Sequence, residues 1–168
     1  MIVMGIDPGY GRTGYGILEY NKNKYKVIEY GSITTQAGVE FSKRLLKIAQ
    51  ELEMLLCKYS IDAVSIEKLF FNTNTKTAID VAQARGVMLY ILEKNNVAIY
   101  EYTPLQIKQA LVGYGRADKI QIMNMVKGYL NLQNMPKLDD TTDALAMAIC
   151  HCNCSGSLDI EKRIRGKI

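Results

Sequence analysis

The chain holds a single histidine, His151, and only one cysteine cluster, Cys150-His151-Cys152-Asn153-Cys154, with Cys57 far away. Zinc sites draw ligands from two separated pairs, and no second pair exists here. The cluster therefore reads as reduced thiols on a terminal helix, and disulfides are not expected. Long apolar runs are also missing: none approaches the ~20 residues of a membrane-spanning helix. The N-terminus lacks a cationic segment followed by an apolar one, because Asp7 and the glycines after it interrupt the run. These absences lead to the expectation of a cytoplasmic protein with no membrane partner. There is no internal repeat, low-complexity tract or linker. What remains is 168 residues, 48% hydrophobic and 23% charged, an ordinary globular composition. One domain over residues 1–168 is expected, with the tail from about residue 156 a candidate flexible segment. Such a length buries about two-thirds of the unfolded surface.

The formal net charge is +4, and its distribution says more than its size. Lys108, Arg116, Lys119, Lys127 and Lys137 lie between Pro104 and Lys137 against the single acid Asp118. The tail adds Lys162, Arg163, Arg165 and Lys167 against Asp159 and Glu161. A basic half beside acidic positions fits a polyanion that must approach fixed carboxylates, although a solvated charged face has the same composition.

Hydrophobic patterning predicts a buried strand over Ile2 to Ile6, and two more over Gly16 to Tyr20 and Tyr25 to Gly31. The polar turn Asn21-Lys22-Asn23-Lys24 joins the latter two as a hairpin. Leu45, Ile48, Leu52, Leu55 and Tyr59 recur at helical steps. Ala63 to Ile66 is a fourth strand ending at Glu67. A polar loop, KLFFNTNTKT, then leads to a helix over about Ala78 to Lys94. Val97 to Tyr102 is the fifth strand. Pro104 opens a helix that Gly113 and Gly115 break, Asp118 caps another, and a last helix runs from about Asp140 to His151. This order predicts an α/β fold, a mixed five-stranded sheet with helices on both faces.

Asp7 ends the first strand and Glu67 the fourth, and ligands in open α/β sheets bind beyond the carboxyl ends of strands. Asp140 and Asp143 are three residues apart at a helix start and share a face, from which Asp139 points away. Taken singly, each acid has another explanation. Asp7 can cap the turn at Pro8-Gly9, Glu67 can pair with Lys68, and the aspartates can cap backbone N–H groups. Taken together, four carboxylates in one place repel unless cations offset them, and oxygen-only ligation favours Mg²⁺ or Mn²⁺. Two such ions support phosphodiester hydrolysis without a histidine base. Phe70 and Phe71 fall in an otherwise polar loop beside Glu67. A loop aromatic there can stack on exposed bases, while Phe71 reads as packing beneath the loop. Gly113-Tyr114-Gly115-Arg116 reads either as a DNA-contacting loop or as a plain connection. Ala82, Gly86 and Leu89 form a small-residue stripe whose ordinary reading is packing against the sheet.

The segments GIDPGYGRTGYG, IEKLFF, QARGV, VKGYL and DDTTDALAMAI, in this order, resemble the RuvC family of crossover junction endodeoxyribonucleases. The resemblance covers nearly the whole chain. It implies a ribonuclease H-like fold, four-way (Holliday) DNA junctions as substrate, and symmetric cuts leaving 5′-phosphate and 3′-hydroxyl ends during recombination and repair. It also implies catalytic metal ligands at Asp7, Glu67, Asp140 and Asp143, two Mg²⁺ per site, and Asp7 shared between them. Lys119 and Lys108 would contact DNA phosphates, with Lys119 also offsetting charge at the reacting phosphate. Phe70 would act at the opened junction centre, with Tyr114 and Arg116 as further DNA contacts. A homodimer joined through the helix bearing Ala82 and Gly86, and association with a branch-migration helicase complex, are implied in the same way.

Two other classes compete. An ATP-dependent phosphotransferase of the actin and sugar-kinase type also places Asp, Gly, Thr and Gly after a first strand, but it needs two such halves and this length holds one. A non-catalytic junction-binding module has no use for four acids, which repel DNA unless a cation intervenes.

Overall fold

The computed structural model describes residues 1–69, 75–134 and 139–165, with side chains omitted for 75, 76 and 156–165. In chain order the elements are β1 (Ile2–Asp7), β2 (Arg12–Asn21), β3 (Lys24–Thr34), α1 (Phe41–Lys58), β4 (Ala63–Glu67), α2 (Thr75–Lys94), β5 (Ala98–Tyr102), α3 (Pro104–Val112), α4 (Lys119–Leu130) and α5 (Asp139–Arg165). Five strands form one mixed sheet in the order β3-β2-β1-β4-β5. β1, β2 and β3 run antiparallel, while β4 lies parallel to both β1 and β5.

Asn21 pairs with Lys24 across a two-residue turn. Lys22 and Asn23 there have φ of 47° and 62°. Positive φ at both central positions is the turn whose twist matches a hairpin, and asparagine tolerates it. β2 and β3 are each several residues longer than the patterning predicts. Gly14 and Gly16 interrupt the alternation in the first half of β2, ahead of the buried Ile17 and Leu18.

Side-chain alternation divides the core into two layers. Met4 and Ile6 of β1, with Val64 and Ile66 of β4, meet Ile48 and Leu52 of α1 and Ala84, Met88 and Leu92 of α2. Val3 and Leu18 point the other way, into Leu111, Val126, Leu145 and Ile149 of α3, α4 and α5. Fully burying a side chain of this size contributes roughly 1.5–3 kcal/mol. By the same alternation Gly5 and Asp7 of β1, and Ser65 and Glu67 of β4, lie on the α5 side.

Two expectations are corrected. In α2 the buried residues are Ala84, Met88, Ile91 and Leu92, whereas Ala82 is exposed and a Cβ at Gly86 would meet open space. Ala82 and Gly86 therefore face outward while Leu89 packs partly against the core, because the larger apolar residues fill the sheet-facing side. The last helix also continues well past His151 to Arg165.

Candidate active site

Three glycines bring α5 down onto the sheet. A Cβ at Gly5 would lie 1.9 Å from the Ala144 carbonyl oxygen, and one at Gly14 would lie 2.0 Å from that of Asp140. Gly16 meets the Leu145 side chain in the same way. Gly5 pairs with Gly16 and Asp7 with Gly14 in the β1–β2 ladder, so these residues form one bare strip on the sheet. The first turn of α5 lands on this strip, which puts Asp140 and Asp143 beside the end of β1. The glycines after Asp7 are thus a helix-docking surface rather than only an exit from the strand.

Parallel pairing of Ile6 with Ile66 places the next residues, Asp7 and Glu67, side by side. The Asp7 carboxyl is pushed up to about 7, first by burial and then by the negative charges of Asp143, Glu67 and Asp140, with Lys119 opposing. Burial raises Glu67 as well, and Asp143 adds to it. Asp143 is raised by burial, with Lys119 acting against the rise. Asp7, Glu67 and Asp143 are hard to ionise because they lie away from water among like charges. A cation beside them would offset that cost.

Side-chain cations meet part of it. Arg12 Nη1 lies 3.2 Å from Asp140 Oδ2. Lys119 Nζ lies 3.1 Å from Asp139 and 3.9 Å from Asp143. Lys119 is raised chiefly by its hydrogen bond to Asp139. Among the described residues, no three His, Cys, Asp or Glu side chains converge closely enough to ligate one ion as placed. The pairs that hold the carboxylates are half-exposed, and pairs of that kind are worth only ~0–1 kcal/mol. These weak pairs would not hold Asp140 and Asp143 away from a bound cation. Four hard oxygen donors on three rigid elements suit Mg²⁺ or Mn²⁺.

The basic residues are set by helix starts. Thr103 and Gln106 form a reciprocal cap on α3, with Pro104 at its first position. Lys108 stands one turn further on and lines a cavity of about 200 Å³ together with Asp7, Glu67 and Asp143. Ile107, Ile122 and Met147 are among its apolar walls. Asp118 and Gln121 cap α4 in the same manner, which makes Lys119 its first residue. Tyr114 and Arg116 are exposed on the α3–α4 connection and do not line this cavity. Phe70 lies outside the described residues, as does Phe71.

His151 is buried, and burial lowers its basicity. Its Nδ1 is 2.9 Å from the Tyr102 hydroxyl and its ring packs on Tyr100. It is a core residue rather than a base for the site. Cys150 and Cys152 are buried free thiols on the same helix, and Cys154 is half-buried.

Two residues at the site escape a reading of the sequence. Arg12 is 128 positions from Asp140, and nothing in its local pattern signals that pair. Arg85 sits within the QARGV segment, yet its contacts with Glu67 and Glu101 appear only in the folded chain.

Comparison with known proteins places these features in context. The family model described as "Crossover junction endodeoxyribonuclease RuvC" matches residues 3–151. A protein of that name from Ruminiclostridium cellulolyticum is 56% identical over 153 residues, which cover 91% of this chain and 92% of the relative. One from Clostridioides difficile is 50% identical over 167 residues, 99% of each chain. The solved structure of Thermus thermophilus RuvC in complex with a Holliday junction substrate superposes with a TM-score of 0.87 at 31% identity, covering 92% of this chain and 94% of that one.

Proposed function

The chain belongs to the RuvC family of crossover junction endodeoxyribonucleases. From that premise we propose that Asp7, Glu67, Asp140 and Asp143 hold two Mg²⁺ ions, which Mn²⁺ can replace, for symmetric cleavage of Holliday junctions in recombination and repair. The observation that carries this reading is Asp7: a carboxyl buried at the end of a strand and crowded by three other acids, which together raise it to about 7. Bound there, a pair of divalent ions supplies an activated water and stabilises the departing 3′ oxygen, giving 5′-phosphate and 3′-hydroxyl ends.

The protein's own groups do the rest. Asp7, which feels the charges of the other three acids, would hold the ions together with Glu67, Asp140 and Asp143. Lys119, at the first position of α4 and paired with Asp139 and Asp143, would offset the charge of the reacting phosphate. Lys108, on the cavity wall, holds a neighbouring phosphate. Arg116 and Tyr114 extend the DNA contact along the exposed α3–α4 connection, and Phe70 stacks at the opened junction centre.

One domain per copy carries this chemistry, and two copies match the two strands to be cut. The exposed face of α2 suits the dimer contact. It presents Ile79 at 69% and Tyr90 at 66% exposure, with Gly86 open between them. Tyr90→Asp is expected to shift the protein toward monomers in sedimentation and to leave cuts in one strand only. A Tyr90→Asp protein that stays fully dimeric would place the contact elsewhere. Among the described residues no helix is long and apolar enough to cross a membrane. We place the enzyme in the cytoplasm, beside a branch-migration helicase complex, on family membership. Failure to co-purify with such a complex on junction DNA would remove that partner.

Thermal unfolding in a chelator tests the metal assignment. Asp7 titrates near 7 when folded against an ordinary value of 3.8. Between these values the folded state keeps a proton that the unfolded state has released, so stability falls as pH rises through that window. Wild-type protein is expected to melt several degrees lower at pH 8 than at pH 5, and Mg²⁺ should restore most of that loss at pH 8. Asp7→Asn should flatten the pH dependence and blunt the response to Mg²⁺. No shift of the wild type with Mg²⁺ at pH 8 would contradict the assignment.

A further inference from the structure

We propose that Arg85 is a positioning residue for the cleavage reaction, clamping the main chain at Glu67 so that its carboxylate faces the metals. This rests on the reading of Glu67 as a metal ligand. Arg85 follows the buried Ala84 on α2, and its side chain is only 14% exposed. Its Nε donates to the Glu67 carbonyl oxygen at 3.1 Å, and the guanidinium also pairs with the Glu101 carboxylate. Glu67 is the last residue of β4, paired with Tyr102 of β5, and Ile66 pairs with Glu101. One side chain therefore ties α2 to the carboxyl ends of two adjacent strands.

The need for such a tie follows from Glu67 itself. Burial and the charge of Asp143 act on its carboxyl, and among the described residues no hydrogen bond orients that group. Its direction is set by the backbone, at the point where β4 gives way to the loop after it. Fixing the carbonyl fixes the peptide plane, and with it where the side chain leaves the strand. Arginine suits this task because its planar fork can donate to a carbonyl and a carboxylate at once. A lysine offers one mobile ammonium in its place.

The test compares Arg85→Lys, Arg85→Ala, Glu101→Gln and Glu67→Gln as full-length dimers on a synthetic four-way junction. Readouts are the junction Kd, the single-turnover rate at saturating protein, and the Mg²⁺ midpoint of that rate. Arg85→Lys keeps the charge and the Glu101 pair, so it is the variant least exposed to misfolding. The expected result is a single-turnover rate down by about tenfold or more in Arg85→Lys and Arg85→Ala. The Mg²⁺ midpoint should rise and the junction Kd should hold, while Glu101→Gln, which removes one anchor of the fork but keeps the donation to Glu67, should lower the rate by less than either Arg85 variant. Wild-type cleavage by Arg85→Lys overturns the proposal, because charge alone then suffices. A loss of junction binding equal to the loss of rate overturns it too, since Arg85 would then act on DNA or on folding. If Glu67→Gln itself cuts normally, the reading of Glu67 fails. If Glu67→Gln is dead and Arg85→Lys is normal, only the inference about Arg85 fails.

Discussion

Asp7→Asn is expected to lower junction cleavage by on the order of 10³-fold or more while leaving junction binding within a few-fold. Removing a single preorganised stabilising group from an active site already costs ~10²–10³ in rate. Asp7 lies beside Glu67 at the strand ends and feels the charges of Asp143 and Asp140, so on the proposed assignment its loss weakens the whole ligand set at once. Binding is a separate matter, because affinity for DNA comes from cations on the surrounding surface. Asparagine also keeps the shape and removes a repelling charge, so the metal-free fold should be no less stable. A variant that cuts at a tenth of the wild-type rate or faster, at saturating Mg²⁺, would remove Asp7 from the centre of the mechanism.

Gly14→Ala is the second change with a large expected effect, although residue 14 carries no chemistry. The new Cβ would stand 2.0 Å from the Asp140 carbonyl oxygen and 3.0 Å from the Thr141 nitrogen. These are backbone atoms of a helix start and cannot turn aside, so α5 must lift from the sheet. Overpacking of this kind costs about 1–3 kcal/mol of stability. The functional loss should be larger, because Asp140 and Asp143 move with α5, and a 1 Å misplacement can lower a rate by ~10²-fold. Gly128→Ala is the control, since a Cβ there meets nothing within 4 Å and the position is inside α4. It should be neutral or slightly stabilising. Equal, near-wild-type rates for the two variants would show that α5 does not need the glycine strip to place its aspartates.

The contrast between these residues shows what the sequence makes legible. Asp7 and Glu67 follow short apolar runs, and Asp140 and Asp143 are three apart on a helix, so local patterns mark them as candidates, which only their combination and the family resemblance raise above capping or surface acids. Gly14 carries no such mark. It follows a strand end as a loop glycine does, yet it lies inside β2, and its role depends on a helix more than a hundred residues later. The outward face of α2 is another case. Small residues at helical spacing read as a packing stripe until Met88, Ile91 and Leu92 are seen to fill the sheet-facing side. The ion pairs Arg12–Asp140 and Arg85–Glu101 join distant segments through flexible side chains. No periodicity encodes them, so only the folded chain reveals them.

The most direct measurement incubates the wild-type protein with an end-labelled synthetic four-way junction and a linear duplex of matched sequence, each with Mg²⁺ and with a chelator. Paired nicks at symmetric positions in opposing strands of the junction, present only with Mg²⁺ and absent from the duplex, are predicted. Equal cutting of junction and duplex would contradict structure-specific resolution. Nicking in the chelator would contradict the metal-dependent carboxylate site.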